Sequence, residues 1–246
     1  MLSSFFAATV RHRRIVLVVE TVLAAVFVVV ESRTRAFTWI VFPWLIVAAM
    51  VCLVLVIVVQ KSQRPAGLTV RPDGSSFDTP VSPLTIFLFT GYVGIAMVNT
   101  TSLVRSLGEG EEWWQLDAAL IILYLVVLAL WFRAGWDHVG VRLRRDGVLD
   151  RGPAGSLFVP WEAFDLHYPA WPADRGDRLR LNYEGPARVR GITRRRFVTG
   201  VNVDRWFLAG AIEHYVTHPK HRAAIGTEAE YRRLMQTLAS PAEQHA

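Results

Sequence analysis

The stretch "HVGVRLRRDGVLDRG", residues 138–152, divides the chain. Ahead of it lie apolar runs of helical length. Within it apolar and polar residues alternate on either side of Asp146-Gly147, which is the pattern of a β-hairpin. The chain therefore changes character near residue 133, and its two parts need separate readings.

Composition follows the same division. The chain has 246 residues, 52% of them apolar, and its mean hydropathy of +0.29 is high for a soluble protein. Residues 1–132 hold 9 Lys and Arg against 8 Asp and Glu, whereas residues 133–246 hold 18 against 13. A basic domain beside a bilayer is drawn to anionic lipid head groups. Nucleic acid would use the same charge, but no nucleic-acid-binding motif accompanies it, so none is expected as a partner. Cys52 is the single cysteine; it can form no intrachain disulfide and reads as a small packing residue in a membrane helix.

A spanning helix needs about 20 mostly apolar residues. Four such spans are expected, at about 15–30, 37–59, 81–104 and 116–132. "RHRR" before the first run imitates a secretory signal, but Glu20 interrupts the run and further spans follow, so an uncleaved anchor is expected. Basic residues orient the spans. Arg11, Arg13 and Arg14 precede the first, and Lys61, Arg64 and Arg71 separate the second from the third. The loop "SLGEGEEWW" before the fourth has acids and no base, while Arg33 and Arg35 run mildly against the rule. The best solution is a multi-pass protein of a bacterial plasma membrane, with the N-terminus and the C-terminal domain in the cytoplasm. Trp113 and Trp114 then mark the outer interface, and Trp131 and Trp136 the inner one.

Glu20 is the one acid well inside an expected span, roughly 9 Å along the helix axis from Arg14. It is a candidate for an ion or proton pathway, yet it is also near enough to the inner face to meet Lys61, Arg133 or water. Asn99 and Thr100 are the other intramembrane polar candidates. Pro43, Gly91 and Gly94 read as helix-packing residues.

Residues 67–74, "GLTVRPDG", match residues 140–147, "GVRLRRDG", in register. Each follows a pair of apolar runs, so a duplicated unit of two helices and a hairpin is one reading. A hairpin in the 60–80 loop that joins the C-terminal domain's sheet is the more modest one. Beyond residue 138, "SLFVPW", "DLHYPAW", "RLRLNYEG", "ARVRGIT" and "RRRFVTG" supply further short strands. A helix follows at about 203–218, capped by Asn202 or Asp204 and buried through Phe207, Leu208, Ala211, Ile212 and Tyr215. Thr227 and Glu230 have capping-box spacing for a last helix at about 228–238.

"LRRDGVLDRGPAGSLFVPWEAF" resembles the first hairpin and the Pro-Trp strand of bacterial PH-like domains, with Val159, Pro160, Trp161 and Glu162 in the matching places. "IEHYVTHPKHRAAIGTEAEYRRL" resembles the tail of actinobacterial integral membrane proteins of this layout, a group without an assigned activity. The resemblance implies a small PH-like β-barrel closed by C-terminal helices. The expected fold is thus a membrane protein of four transmembrane α-helices followed by a cytoplasmic α+β PH-like β-barrel.

Phosphoinositide sites of eukaryotic PH domains use bases around the first hairpin. Arg142, Arg144 and Arg145 stand there, and Arg188, Arg190, Arg194, Arg195 and Arg196 form a second run. Guanidinium groups bind phosphate bidentately. The plainer reading is a solvated basic face set by membrane orientation.

The chain has no phosphate loop, dinucleotide fingerprint, nucleophile elbow or His-Glu-x-x-His helix. His214, His218 and His221 suggest metal ligation, but Pro219 ends the helix at Thr217–His218, and Glu213 is the one further donor nearby in sequence. They read as helix punctuation, and Tyr215, Pro219 and Ile225 as packing residues. No metal, cofactor or catalytic residue is expected. The function expected is a non-enzymatic scaffold or regulator, binding a membrane or cytoplasmic protein or the inner leaflet. The alternative is a small ion-coupled transporter using Glu20.

Overall fold

The computed structural model describes residues 9–34, 44, 47–48, 50–55, 57–58, 65–109, 114–137, 139–173, 178–193, 196–199 and 203–239. It divides into two compact units. One comprises Met1–Ser62 with Ser82–Asp137, and the other Gln63–Val81 with His138–Ala246.

The first unit is helical. Helix α1 spans Arg13–Thr34, α2 Leu84–Glu109 and α3 Trp114–Trp136. The described residues within 44–58 are also helical. Leu17, Phe89 and Val93 are buried where α1 and α2 meet α3, with Leu128 and Phe132 packed on them. Gly135 permits this approach, because a Cβ there would stand 2.8 Å from a Leu17 methyl carbon. Phe89 tilts on Phe132 with ring centroids 5.8 Å apart, and the Arg14 guanidinium lies 5.1 Å over Trp136. Elsewhere the unit's apolar side chains face outward: Ile15, Val22, Leu23, Val26, Ile122 and Leu125 are all more than half exposed.

The expected count of four spans is not met. Among the described residues two helices, Leu84–Gly108 and Trp114–Trp136, are long and apolar enough to cross a membrane. Helix α1 carries Arg13, Arg14, Glu20, Glu31 and Arg33 along its length. Residues 37–43, 45–46, 49, 56 and 59 of the second expected span, 37–59, lie outside the described residues. Helix α2 runs through the polar "NTTS" at 99–102 and past the expected end at 104, to Glu109. Asn99, Thr100 and Thr101 donate to the carbonyls of Ile95, Ala96 and Val98, so their polar groups are satisfied within the helix.

The second unit is built on antiparallel sheets. Strands β1 (Thr69–Val70), β2 (Ser76–Asp78), β3 (Gly140–Arg144), β4 (Gly147–Arg151), β5 (Gly155–Pro160) and β8 (Arg188–Gly191) form a six-stranded sheet in the order β1-β2-β3-β4-β5-β8. Strands β6 (Ala170–Pro172), β7 (Arg178–Leu181) and β9 (Phe197–Thr199) form a second sheet in the order β6-β7-β9. The expected closed barrel is therefore absent, because no ladder joins the two sheets among the described residues. The reason lies at Gly191. Its φ of +68° is left-handed, and with Ile192 N–H donating to Ala154 the ladder of β8 on β5 stops there. Consecutive strands β8 and β9 thus end on different sheets, and closure fails.

The hairpin of residues 69–78 lies on the β3 edge: Ser76, Phe77 and Asp78 pair with Arg144, Leu143 and Arg142. Its turn differs from that of the matching segment. Arg144 pairs directly with Gly147, whereas residues 71–75 make a wider turn with Gly74 at φ +62°. The Asp73 carboxylate accepts from both the N–H and the hydroxyl of Ser75.

Helix α4 (Arg205–Thr217), a 3-10 turn (Pro219–Ala224) and helix α5 (Glu228–Ala239) complete the unit. Asp204 caps α4 by accepting from Phe207 N–H at 2.9 Å. Leu208, Ala211, Ile212 and Tyr215 of α4 share one core with Val141, Leu143, Leu157, Val159, Leu179 and Leu181. Trp161 anchors it. Its ring meets Tyr215 at 5.8 Å while its indole N–H donates to Arg144 at 2.8 Å. Tyr215 and Ile225 are fully buried, but Pro219 is exposed and takes no part in the packing.

Asp150 points to the core face of β4 alongside Val148. Burial pushes its carboxyl up to about 7. The folded state then holds a proton that the unfolded state releases above about 4, so stability falls as pH rises from about 4 to about 7. Asp150→Asn should flatten that slope and stabilise the protein at pH 8 by up to about 4 kcal/mol, the equivalent of roughly three pKa units. Thermal unfolding of both proteins across this range checks it.

Candidate functional site

Strand alternation and register select the site. Side chains at every second residue share a face, and neighbouring strands lie about 4.8 Å apart. Val141, Leu143, Val148, Leu157 and Val159 take the core face. The opposite face then carries, in one row, Asp78, Arg142, Leu149, Phe158 and Arg188. In the next row stand Gly140, Arg151, Ser156 and Arg190. Arg144 lies on the same face beside Gly147 and Pro160.

The result is a basic surface with an apolar centre. Arg144, Arg151, Arg188 and Arg190 are exposed around Leu149 and Phe158, which are half-buried. The Arg144 guanidinium sits 6.0 Å over the Phe158 ring and 3.2 Å from Asp146. Arg142 is a different case. It is buried beside Asp78, with Nε 3.6 Å from Oδ2, and Asp78 also accepts from the Ser76 hydroxyl at 2.8 Å. Burial pulls the Arg142 guanidinium below its ordinary value. Asp78 opposes this, while Arg71, Arg151 and Arg144 add to it. Those three like charges are thus close enough to be felt at Arg142.

The remaining arginines of the sequence-derived set lie elsewhere. Arg145 leaves the sheet face at the turn and reaches the carbonyls of Ile225 and Gly74, both at 3.5 Å. Arg196 lines an open cavity of about 640 Å³ with Tyr183, Glu184 and Val189. Val189 alternates with Arg188 and Arg190, so this cavity is on the other side of β8. Arg194 and Arg195 lie outside the described residues. Arg151, Leu149 and Phe158 were not singled out from sequence. Their shared face follows from period-two alternation only once the strand order is known.

In the helical unit, Glu20 accepts from the Thr90 hydroxyl at 2.8 Å. Its second oxygen is buried without a hydrogen-bond partner. Glu20, Phe27, Cys52, Thr90 and Gly94 line a cavity of about 350 Å³. Asn99 is spent on its own helix and does not join this group.

The histidines converge. Helix α4 ends at Thr217, with His218 at φ −120°, and the 3-10 turn carries His221 back over His214. His214 Nε2 and His221 Nδ1 are 2.9 Å apart, and His218 stacks on both rings at 4.8 and 5.4 Å. Burial, aided by His218 and His221, pulls the His214 imidazole down to about 4. Arg222 braces the turn, donating to the carbonyls of Tyr215 and Val216 and to Glu162.

No protein-family model matches the chain, and neither a curated protein nor a solved structure does so.

The basic residues should divide by role under substitution. Arg142→Ala removes the guanidinium beside the buried Asp78 carboxylate and should destabilise by about 3–5 kcal/mol. Arg190→Ala, on an exposed edge strand, should stay within about 0.5 kcal/mol. Denaturant unfolding of the two variants separates them.

Proposed function

We propose that the chain is a bilayer-embedded, non-enzymatic protein whose sheet unit presents its arginine face to anionic lipid head groups. The observation that carries this reading is the grouping of Arg144, Arg151, Arg188 and Arg190 around Leu149 and Phe158. Guanidinium forks match phosphate oxygens, and each basic residue near an anionic leaflet contributes about 1 kcal/mol. The apolar pair suits the boundary between head groups and acyl chains. Support for the bilayer comes from the helical unit, where Val22, Leu23, Val26 and Ile122 face outward. In this reading the short basic stretch ahead of α2, with Lys61, Arg64 and Arg71, sets the cytoplasmic side of a bacterial plasma membrane, and the sheet unit after α3 falls on the same side.

The test uses full-length protein in nanodiscs, with Cys52→Ala and Ser156→Cys introduced so that an environment-sensitive dye reports between Arg151 and Arg190. The dye emission should shift to the blue in discs containing phosphatidylglycerol, and not in phosphatidylcholine alone. High salt should reverse the shift, since exposed charges are screened beyond about 10 Å at 0.1 M. Charge reversal at Arg151, Arg188 and Arg190 should remove about 3 kcal/mol, roughly a hundredfold in affinity. Identical spectra in both lipids would overturn the reading. A shift that needs an added cell extract, and no lipid charge, would assign the face to a protein partner.

A second reading rests on the Glu20 cavity. An acid with one oxygen held by Thr90 and the other facing space among apolar walls is the arrangement of an ion-binding carboxylate. Reconstituted vesicles should then show a proton- or cation-dependent flux, and Glu20→Gln should abolish it. Wild-type vesicles without flux dispose of this reading.

A further inference from the structure

We propose that His214, His221 and Glu230 form a binding site for a zinc-type divalent transition metal, clamping α4, the 3-10 turn and α5 together. Each residue offers one ligand atom, and these atoms all lie within 4.8 Å of one another. Each comes from a different element, so the site exists only in the folded C-terminal region.

Three features point to a ligand rather than to a packed polar cluster. First, His214 Nε2 and His221 Nδ1 face each other at 2.9 Å. Without a metal they share a single proton. With a metal both lone pairs serve at once. Tetrahedral zinc with bonds of about 2.0–2.1 Å sets its nitrogens roughly 3.3 Å apart, so the rings need to separate by only about 0.4 Å. Second, the Glu230 carboxylate is almost fully buried and poorly satisfied. The Tyr215 hydroxyl reaches Oε1 only at 3.4 Å, and Oε2 has no hydrogen-bond partner. A buried carboxylate in that condition is unfavourable unless a cation compensates it. Third, the nearest cation is replaceable. Arg233 Nη1 stands 3.0 Å from Oε2 without hydrogen-bond alignment, and its side chain is about half exposed, free to swing into solvent as metal enters.

The donor chemistry sets the metal class. Two imidazoles and a carboxylate suit zinc, cobalt or nickel and disfavour magnesium and calcium, which prefer all-oxygen shells. Three protein ligands leave a fourth position for water. His218 is not in the set. Its Nδ1 is taken by the Thr217 hydroxyl and the His214 carbonyl, and its ring lies against the other two as a wall. Tyr215 is the outer partner, orienting Glu230 from behind.

The experiment takes full-length protein in detergent, stripped with a chelator and titrated with zinc. The expected result is one zinc per chain and a melting temperature that climbs with zinc concentration. Cobalt in place of zinc should give the visible absorption of a four-coordinate site. His221→Ala, at a partly exposed position, should weaken binding by more than the roughly 10–100-fold that loss of an outer-shell partner costs. Glu230→Gln should do the same while keeping the shape of the side chain. His167→Ala, an exposed histidine elsewhere, should bind zinc as wild type does. The proposal fails if zinc leaves the melting temperature of the stripped protein unchanged. It also fails if His221→Ala and Glu230→Gln, melting as wild type does without metal, retain full affinity.

Discussion

The second unit depends on how the outer edge of Gly140–Arg144 is satisfied. This strand lies inside the sheet, and a buried backbone N–H or C=O without a partner is strongly disfavoured. One edge pairs with β4 across a two-residue turn. The other is completed by a hairpin made more than sixty residues earlier in the chain, extended by Thr79, whose N–H donates to Val141 while its hydroxyl accepts from Val141 N–H. Much else follows from that pairing. It brings Asp78 to Arg142 and so removes one arginine from the exposed set. It brings the hairpin tip to Gly226, where φ is +98° and a Cβ would stand 2.2 Å from the Gly74 carbonyl. Arg145 then spans both backbones at that junction.

How much of this was legible depended on the range of the interaction. Alternation around Asp-Gly locates β3 and β4, because both the turn and the pattern are local. The same signal locates the 69–78 hairpin, yet it cannot give the difference between the two turns, which Gly74 and Ser75 set. Barrel closure was misread because it depends on which distant edges meet, and a left-handed Gly191 decides that. Apolar length suggests four spans, but charges distributed along α1 set it apart from α2 and α3, and much of 37–59 lies outside the described residues. Among the site residues, Arg142 looks no different in sequence from Arg144. Its role is fixed by Asp78, far away in the chain. Glu230 carries a true local signal, since its N–H donates to the Thr227 hydroxyl of the cap, but its carboxylate turns inward to Tyr215 and away from the cap. The sequence neighbourhood of the histidines therefore offered Glu213 as a donor, while the fold supplies Glu230.

The two faces of the sheet unit carry opposite kinds of polarity. On the outer face, charge is plentiful, solvated and nearly of one sign, so it acts at a distance and responds to salt. On the inner side, a few polar groups such as Asp150 and Glu230 are buried away from solvent, where their protonation or ligation is coupled to folding. Surface substitutions should therefore alter what the unit meets. Substitutions at the buried groups should alter whether it holds together.

The discontinuity of the unit also has a consequence for biosynthesis. The 69–78 hairpin is translated before α2 and α3, and its partner strand follows roughly 60 residues later, at ~5–20 residues per second some 3–12 s afterwards. During that interval Ser76–Asp78 presents an unsatisfied strand edge on a nascent chain whose next segments are strongly apolar. A neighbouring chain further along in synthesis offers a β3 edge of identical register, so exchange of the hairpin between copies is the misassembly that this order of synthesis invites. The short β2, the Pro80 and Pro83 that follow it and the charged Asp73 turn all limit how long such an edge can grow.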